Sequence, residues 1–249
     1  QLLLNQAFEK VMSWCESWQM CLNLEKTVAM KITRKKTPLT YYYGYKNNYL
    51  SEVTEYKYLG LLITSDLRWN KHIDQVIAHT QRKLFFLRRA LKLSTPTVRL
   101  LAYKSVILPG LDYAAIIWDP YTKTNIDKLE SIQKRAVRFI YNRYDRTSVT
   151  DLLTRAKLQP LSTRNRHSRL KFLYQILMGH VKVDTYSVMP LTSRYSTRLR
   201  HDRTLTPHQT RNNAFKYSFF PRTVNDWNLL TNEQVLQSSL ASFTSSLCS

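Results

Sequence analysis

Apolar residues recur along this chain with two different periods, and the change between them divides it. Over residues 2–20, Leu4, Phe8, Val11, Cys15 and Trp18 return every three or four positions while Glu9, Lys10 and Glu16 fall between them. That spacing predicts an amphipathic helix with the five apolar residues turned inward. The period then shortens to two. Val28, Met30 and Ile32 alternate through TVAMKIT (27–33) as a strand. The aromatic run TYYYGYKNNYLSEV (40–53) carries turn residues at Gly44 and at Lys46-Asn47-Asn48, which predicts a hairpin, and YKYLGLLIT (56–64) reads as one further strand.

Beyond Trp69 the period is helical. Ile73, Ile77, Thr80, Leu84, Leu87 and Leu91 form one buried stripe. Thr95-Pro96 supplies a cap and a first-turn proline for a helix from about 97, with a kink or break after Leu108 because Pro109-Gly110 follows. The helix resumes through Tyr113 to Trp118 and stops at Asp119-Pro120. Thr124-x-x-Asp127 resembles a capping box and opens a helix to about Tyr141, with Ile126, Leu129, Ile132, Ala136 and Ile140 inward. Two shorter helices are expected near 148–156 and 163–179, on either side of Pro160. Residues 183–210 are polar and basic without a period and read as a loop or extended arm. The fold class is therefore α+β, mostly α: a helix with a small, mostly antiparallel sheet, then a helical body.

Charge changes the picture more than any motif. The 249 residues hold 38 Lys+Arg against 17 Asp+Glu, a net charge of +21, while 43% hydrophobic content is ample for a core. An excess of this size makes a polyanion the expected partner. No apolar run reaches the roughly 18 residues a spanning helix needs, and no signal peptide is visible, so nucleic acid is favoured over a membrane. Between Arg155 and Arg222 there are 14 Lys+Arg and two acids, Asp184 and Asp202. Cys15, Cys21 and Cys248 lack the spacing of a zinc site.

On a helical wheel, Arg82 and Arg89 lie opposite the apolar stripe of the helix after Trp69, flanked by Phe85 and Phe86. Such interleaving suits nucleic acid, the cations meeting phosphates and the rings meeting bases or sugars. A second packing interface for the rings, with snorkelling arginines, accounts for it as well. Trp69 and Lys71 stand at the mouth of that helix. Lys134, Arg135 and Arg138 lie off the apolar face of a later helix, where phosphate contact and a favourable helix-dipole interaction are both open. Catalytic groupings are sparse. Asp112 and Asp119 are seven residues apart with no third carboxylate nearby, His72 and His79 lack a third ligand, and no Gly-rich phosphate loop occurs.

Five stretches in order carry a resemblance: WCESWQMCLNLEKTVAMKI, YKYLGLLITSDLRWNKHI, LPGLDYAAIIWDPY, KLESIQKRAVRFI and YSFFPRTVNDWN. Together they resemble the C-terminal part of reverse transcriptases from non-LTR (LINE-like) retrotransposons of the Jockey type. The resemblance implies the end of a polymerase palm over 1–66, a thumb-like helical region over 67–145 and a basic C-terminal helical extension over 146–249. Asn23 and Lys26 match the motif that closes behind the incoming nucleotide. Tyr58, Leu59 and Gly60 match the primer grip. Trp69, Lys71, Arg82, Phe85, Phe86, Arg89, Lys134, Arg135 and Arg138 would hold nucleic acid, and the partners would be RNA, an RNA–DNA hybrid or DNA. The family's metal-binding aspartates lie upstream of the matching region, and the chain starts at Gln1, so the expectation is a fragment without catalytic residues. It would need no cofactor itself, with Mg2+ required only by the intact polymerase. The location is left open by the sequence: intracellular, in the nucleus or a cytoplasmic ribonucleoprotein, if the parent element is expressed. A free-standing RNA-binding module taken from a transposon, and a relic without function, are the other readings.

Overall fold

In the computed structural model the chain divides between His72 and Ile73 into two units. The structure describes residues 2–23, 25–33, 35, 37, 39–45, 48–184 and 201–248.

In the first unit, α1 (Leu2–Ser17) forms where the period places it. Its apolar stripe does not pack as expected. Cys15 is buried, but Leu4 is 57% exposed, Val11 49% and Trp18 68%. The reason lies in the strands that follow, which pair only two by two and build no continuous apolar face. A cavity of about 730 Å³ is left between Leu4, Phe8 and Val11 on one side and Val28, Met30 and Ile32 on the other.

The strand expected over 27–33 shrinks to β1 (Val28–Ala29), and the 40–53 region forms the predicted hairpin from β2 (Gly44–Tyr45) and β3 (Asn48–Tyr49). The next strand, β4 (Ser51–Glu52), pairs with β1 in parallel, whereas the other two strand pairs among the described residues are antiparallel, in line with a mostly antiparallel arrangement. The single strand expected over 56–64 is instead a second hairpin, β5 (Glu55–Tyr58) against β6 (Leu61–Thr64), with Tyr58 opposite Leu61. Its two turn residues, Leu59 and Gly60, have φ of 46° and 84°. Two positive φ values make the mirror-image turn that matches strand twist. Gly60 adopts it without a Cβ clash, whereas Leu59 holds it at a cost of about 1 kcal/mol. All of β5 is exposed, while Leu61, Leu62 and Thr64 of β6 are buried. His72 Nδ1 accepts the Leu62 N–H at 3.3 Å, which ties the helix start to β6.

From that point α2 (Asn70–Ala90) carries the chain into the second unit. Its stripe behaves as predicted: Ile73, Thr80, Leu84 and Leu87 are buried, and Ile77 and Leu91 are half-buried. The helix α3 (Pro96–Ala102) starts from Thr95 with proline in its first turn. No break follows Leu108. A π-helical turn over Tyr103–Ile107 leads directly into α4 (Leu108–Asp112), and the Leu108 N–H reaches back to the Tyr103 carbonyl. Widening the helix just before Pro109 accommodates a residue that has no N–H to donate. The interruption comes later, at Ala114 with φ of 50°, before α5 (Ala115–Trp118).

Next comes α6 (Lys123–Tyr141), which starts from Thr122 and not at the expected Thr124 box. Leu129, Ile132, Ala136 and Ile140 are buried as predicted, and Gln133 joins them by accepting the Tyr103 hydroxyl at 3.1 Å and donating to the Gln159 carbonyl at 2.8 Å. The two short helices are α7 (Val149–Arg155) and α8 (Leu161–Leu177). The C-terminal part adds α9 (Asn213–Lys216), α10 (Phe219–Trp227), α11 (Asn232–Val235) and α12 (Leu240–Ser246). Leu170, Leu173 and Tyr174 of α8 meet Val224, Trp227, Val235 and Phe243 in one core. Of the predicted loop over 183–210, residues 185–200 lie outside the described residues. Residues 201–210 contain no helix, yet they are anchored rather than an extended arm. Leu205 is completely buried, and the Asn228 amide both accepts its N–H at 3.0 Å and donates to its carbonyl at 2.8 Å.

A buried ion cluster joins α8, α10 and the end of α5. Arg169 contacts Asp119 at 3.0 Å and Asp226 at 2.8 Å, Arg222 contacts Asp119 at 3.0 Å, and Asn165 donates to Asp119 at 2.8 Å. Two buried histidines of the second unit add a pH dependence. Burial pushes the pKa of His167 and His201 below the ordinary imidazole value of 6.5. His201 Nε2 donates to the Trp227 carbonyl at 3.1 Å, and its Nδ1 finds no partner among the described residues. The folded state therefore holds both rings neutral. Their contribution is intact above pH 6.5 and is lost as pH falls below it, because the unfolded chain binds protons that the folded one refuses. We expect the unfolding free energy from urea titrations, and the midpoint with it, to fall between pH 7 and 5, the free energy by up to about 1.4 kcal/mol per pH unit for each histidine. A midpoint that rises over that interval would contradict this account.

Candidate nucleic-acid interface

Along α2, Ala78, Gln81, Arg82, Phe85, Arg88 and Arg89 make one face that begins beside the buried stripe, at Gln81 and Arg88, and reaches round to Arg82 and Arg89 opposite it. Helical geometry alone puts these residues on one face. Against them α6 presents Arg135, and the two helices are bridged by Lys128 to Asp74 at 2.7 Å. Between them lies a groove of about 690 Å³ whose lining includes Arg82, Phe85, Arg88, Arg89 and Arg135 and no carboxylate. A second depression of about 320 Å³ shares Phe85, Arg88 and Arg89 and adds Lys92 and Tyr144. Phe85 and Phe86 are each 59% exposed, so no second interface within the described residues covers them. The Arg89 guanidinium lies 5.0 Å from the Phe85 ring centroid, and that of Arg88 lies 5.2 Å from the Tyr144 centroid.

The structure thus unites Arg82, Phe85, Arg89 and Arg135 from the sequence-derived set. Arg88 and Tyr144 are additions that the sequence reading misses. Arg88 is legible as the position three after Phe85 on the same stripe, whereas nothing local marks Tyr144. Phe86 and Lys134 are exposed but do not line the groove. Arg138 serves the frame of the helix: it donates to the carbonyls of Arg143 at 3.2 Å and Asp145 at 2.9 Å and fixes the turn after α6.

The remaining candidate residues belong to the first unit. The Asn23 side chain accepts the Lys26 N–H at 3.0 Å, closing a local turn, and the Lys26 side chain is exposed. Tyr58 and Leu59 are 57% and 71% exposed at the β5–β6 turn, beside Gly60. Trp69 packs edge-on against His72 at 6.1 Å, and Lys71 pairs with Glu55.

The acids do not form a metal centre. Asp66 accepts the Thr64 hydroxyl at 2.8 Å and the Arg68 N–H at 3.0 Å, Asp112 pairs with Arg164, and Asp119 is committed to Arg169 and Arg222. Among the described residues no three His, Cys, Asp or Glu side chains converge. These carboxylates do not fit a Mg2+ site. Among the described residues no helix is long and apolar enough to cross a membrane.

The class defined by these features is a basic, mostly helical protein with an acid-free arginine–aromatic groove. In sequence, the chain is similar to RNA-directed DNA polymerases of non-LTR retrotransposons. It is 27% identical over 132 residues to a probable RNA-directed DNA polymerase from transposon BS of Drosophila melanogaster, covering 51% of this chain and 15% of that protein. It is 25% identical over 143 residues to the RNA-directed DNA polymerase from mobile element jockey of Drosophila funebris, covering 55% and 15%. A probable polymerase from transposon X-element of Drosophila melanogaster is 25% identical over 133 residues, covering 51% and 14%. The chain therefore spans only a small part of the length of the curated relatives it matches. No family profile and no solved structure matches it.

Proposed function

We propose that this chain is the part of a non-LTR reverse transcriptase that holds the template and primer. The observation that carries the reading is the groove between α2 and α6, where four arginines and an exposed phenylalanine meet without a carboxylate. Phosphates neutralised there would release counterions, which makes binding strong at low salt and largely independent of sequence. The similarity to retrotransposon polymerases supplies the substrate class, RNA and the RNA–DNA hybrid.

In this reading residues 1–66 are the end of a palm, 67–145 a thumb-like region and 146–249 a helical extension. The exposed turn at Tyr58, Leu59 and Gly60 meets the primer end, and its strained Leu59 agrees with a position kept for contact rather than for folding. Asn23 shapes the turn that presents Lys26 towards nucleotide phosphates. Trp69 and Lys71 in the first unit, and Phe86 and Lys134 in the second, are further proposed contacts to nucleic acid. Nucleotide transfer itself is the work of a metal site that Asp66, Asp112 and Asp119 do not supply.

Binding of the full chain to an RNA–DNA hybrid across a salt series tests the proposal. The expected affinity is submicromolar at low salt and falls by orders of magnitude as salt rises. Weak binding with a flat salt response would overturn it, and a strong preference for folded RNA over hybrid would favour an RNA-binding module used without a polymerase.

A further inference from the structure

Within that reading, the geometry points to an unpaired strand as the occupant of the α2–α6 groove: its bases stack on Phe85 and Tyr144 while Arg82, Arg88 and Arg135 hold its phosphates. The inference rests on the proposed nucleic-acid function and narrows the occupant of this groove from RNA or the RNA–DNA hybrid to a single strand.

Cations alone would serve a duplex. Its bases are already stacked on one another, and its outer surface offers phosphate and sugar. Large exposed rings gain little from such a partner. Here the rings are prominent: Phe85 is 59% exposed and Tyr144 54%, although Leu84 and Leu87 on the same helix as Phe85 are buried. Phe85, Arg88 and Arg89 line both depressions, so the groove and its extension towards Tyr144 form one track with a ring in each part. Each ring already has a guanidinium 5.0 or 5.2 Å from its centroid. A base on the ring adds a further layer to an existing cation–aromatic stack. Cations spaced between aromatic platforms are what an unpaired, flexible strand requires, since every base has a face to stack and every linkage a charge to neutralise. The absence of carboxylates along the track removes the repulsion that would otherwise oppose a phosphate backbone.

The test uses the full chain with three probes: an unstructured single-stranded RNA, the same sequence as single-stranded DNA, and a blunt RNA–DNA hybrid of equal length. Wild-type protein is expected to bind both single strands about tenfold more tightly than the hybrid. Phe85→Ala and Tyr144→Ala are each expected to lose about tenfold on single strands, with little change on the hybrid and none in the salt slope. Both side chains are largely exposed, so the substitutions leave the core untouched. A direct readout that needs no variant is the fluorescence of 2-aminopurine in the single strand, which falls when the base stacks on a ring. Equal affinity for the strands and the hybrid, or unchanged binding by both variants, would overturn the single-strand assignment and leave a purely electrostatic groove. If no probe binds in a salt-dependent way, the proposed function falls together with it.

Discussion

Replacing Asp119 by alanine is expected to destabilise the second unit by about 3–5 kcal/mol, a large part of the 5–15 kcal/mol typical of a folded domain. The Arg169 side chain is 3% exposed and that of Asp119 is 5% exposed, so neither is compensated by water. Without Asp119, Arg169 keeps Asp226 at 2.8 Å and the Thr223 hydroxyl at 3.4 Å, and Arg222 keeps the backbone carbonyls of residue 119 at 2.9 Å and Pro120 at 3.3 Å. A guanidinium taken out of water with too few acceptors carries most of its desolvation penalty. Asp119→Asn preserves the shape but removes the charge, and it should fall between wild type and alanine. Replacing Asp119 and Arg169 together by apolar residues should cost less than the sum of the two single changes, because neither charge is then stranded. Urea unfolding followed by circular dichroism measures all four proteins. A loss below about 1 kcal/mol for Asp119→Ala would mean that the cluster is solvated and the pairing adds little.

Neutralising the groove should act on binding and leave stability alone. The triple variant Arg82→Gln, Arg89→Gln, Arg135→Gln is expected to bind RNA about a hundredfold more weakly at moderate salt. The slope of log affinity against log salt should fall by about two to three, or somewhat under one for each phosphate contact removed. Its urea midpoint should stay near wild type, since all three side chains are exposed. Arg138→Gln is the informative contrast. Only three residues from Arg135, it binds the carbonyls that close α6, so its loss should lower stability by about 1 kcal/mol with a smaller effect on the salt slope. Fluorescence anisotropy over a salt series decides the matter. A triple variant that keeps the wild-type slope would remove the groove from the binding surface.

Much of the helical body is legible because its stripes repeat within a single helix. Four of the six stripe positions from Ile73 to Leu91 and four of the five inward positions of α6 are buried as their spacing implies, and Ile77, Leu91 and Ile126 are half-buried. Shortfalls come where a local signal has two structural solutions. Pro109 promises a kink or a break; there is no break, and the helix widens into a π turn before it. The run YKYLGLLIT alternates like one strand, yet Leu59-Gly60 folds it back on itself, because a residue other than glycine or asparagine opens the turn. The left-handed positions Gln19, Asn142 and Lys157 similarly occur without glycine, which is how so few glycines suffice. The stripe of α1 is helical as its period implies, but only Cys15 of its five positions is buried, since periodicity reports a face and not what covers it.

By itself the sequence determined the helical and extended periods, the large positive charge and the order of motifs shared with retrotransposon polymerases. Those are properties of neighbouring residues and of totals. Tertiary structure alone decided which cations face solvent and which are part of the frame. Arg99, for example, donates to the Phe139 carbonyl 40 residues away, and Arg222 to that of Asp119 across 103 residues, while Arg82 and Arg135 line an open groove. A guanidinium meets a carbonyl or a phosphate according to the groups that folding brings to it, and no local pattern encodes partners so distant in the chain.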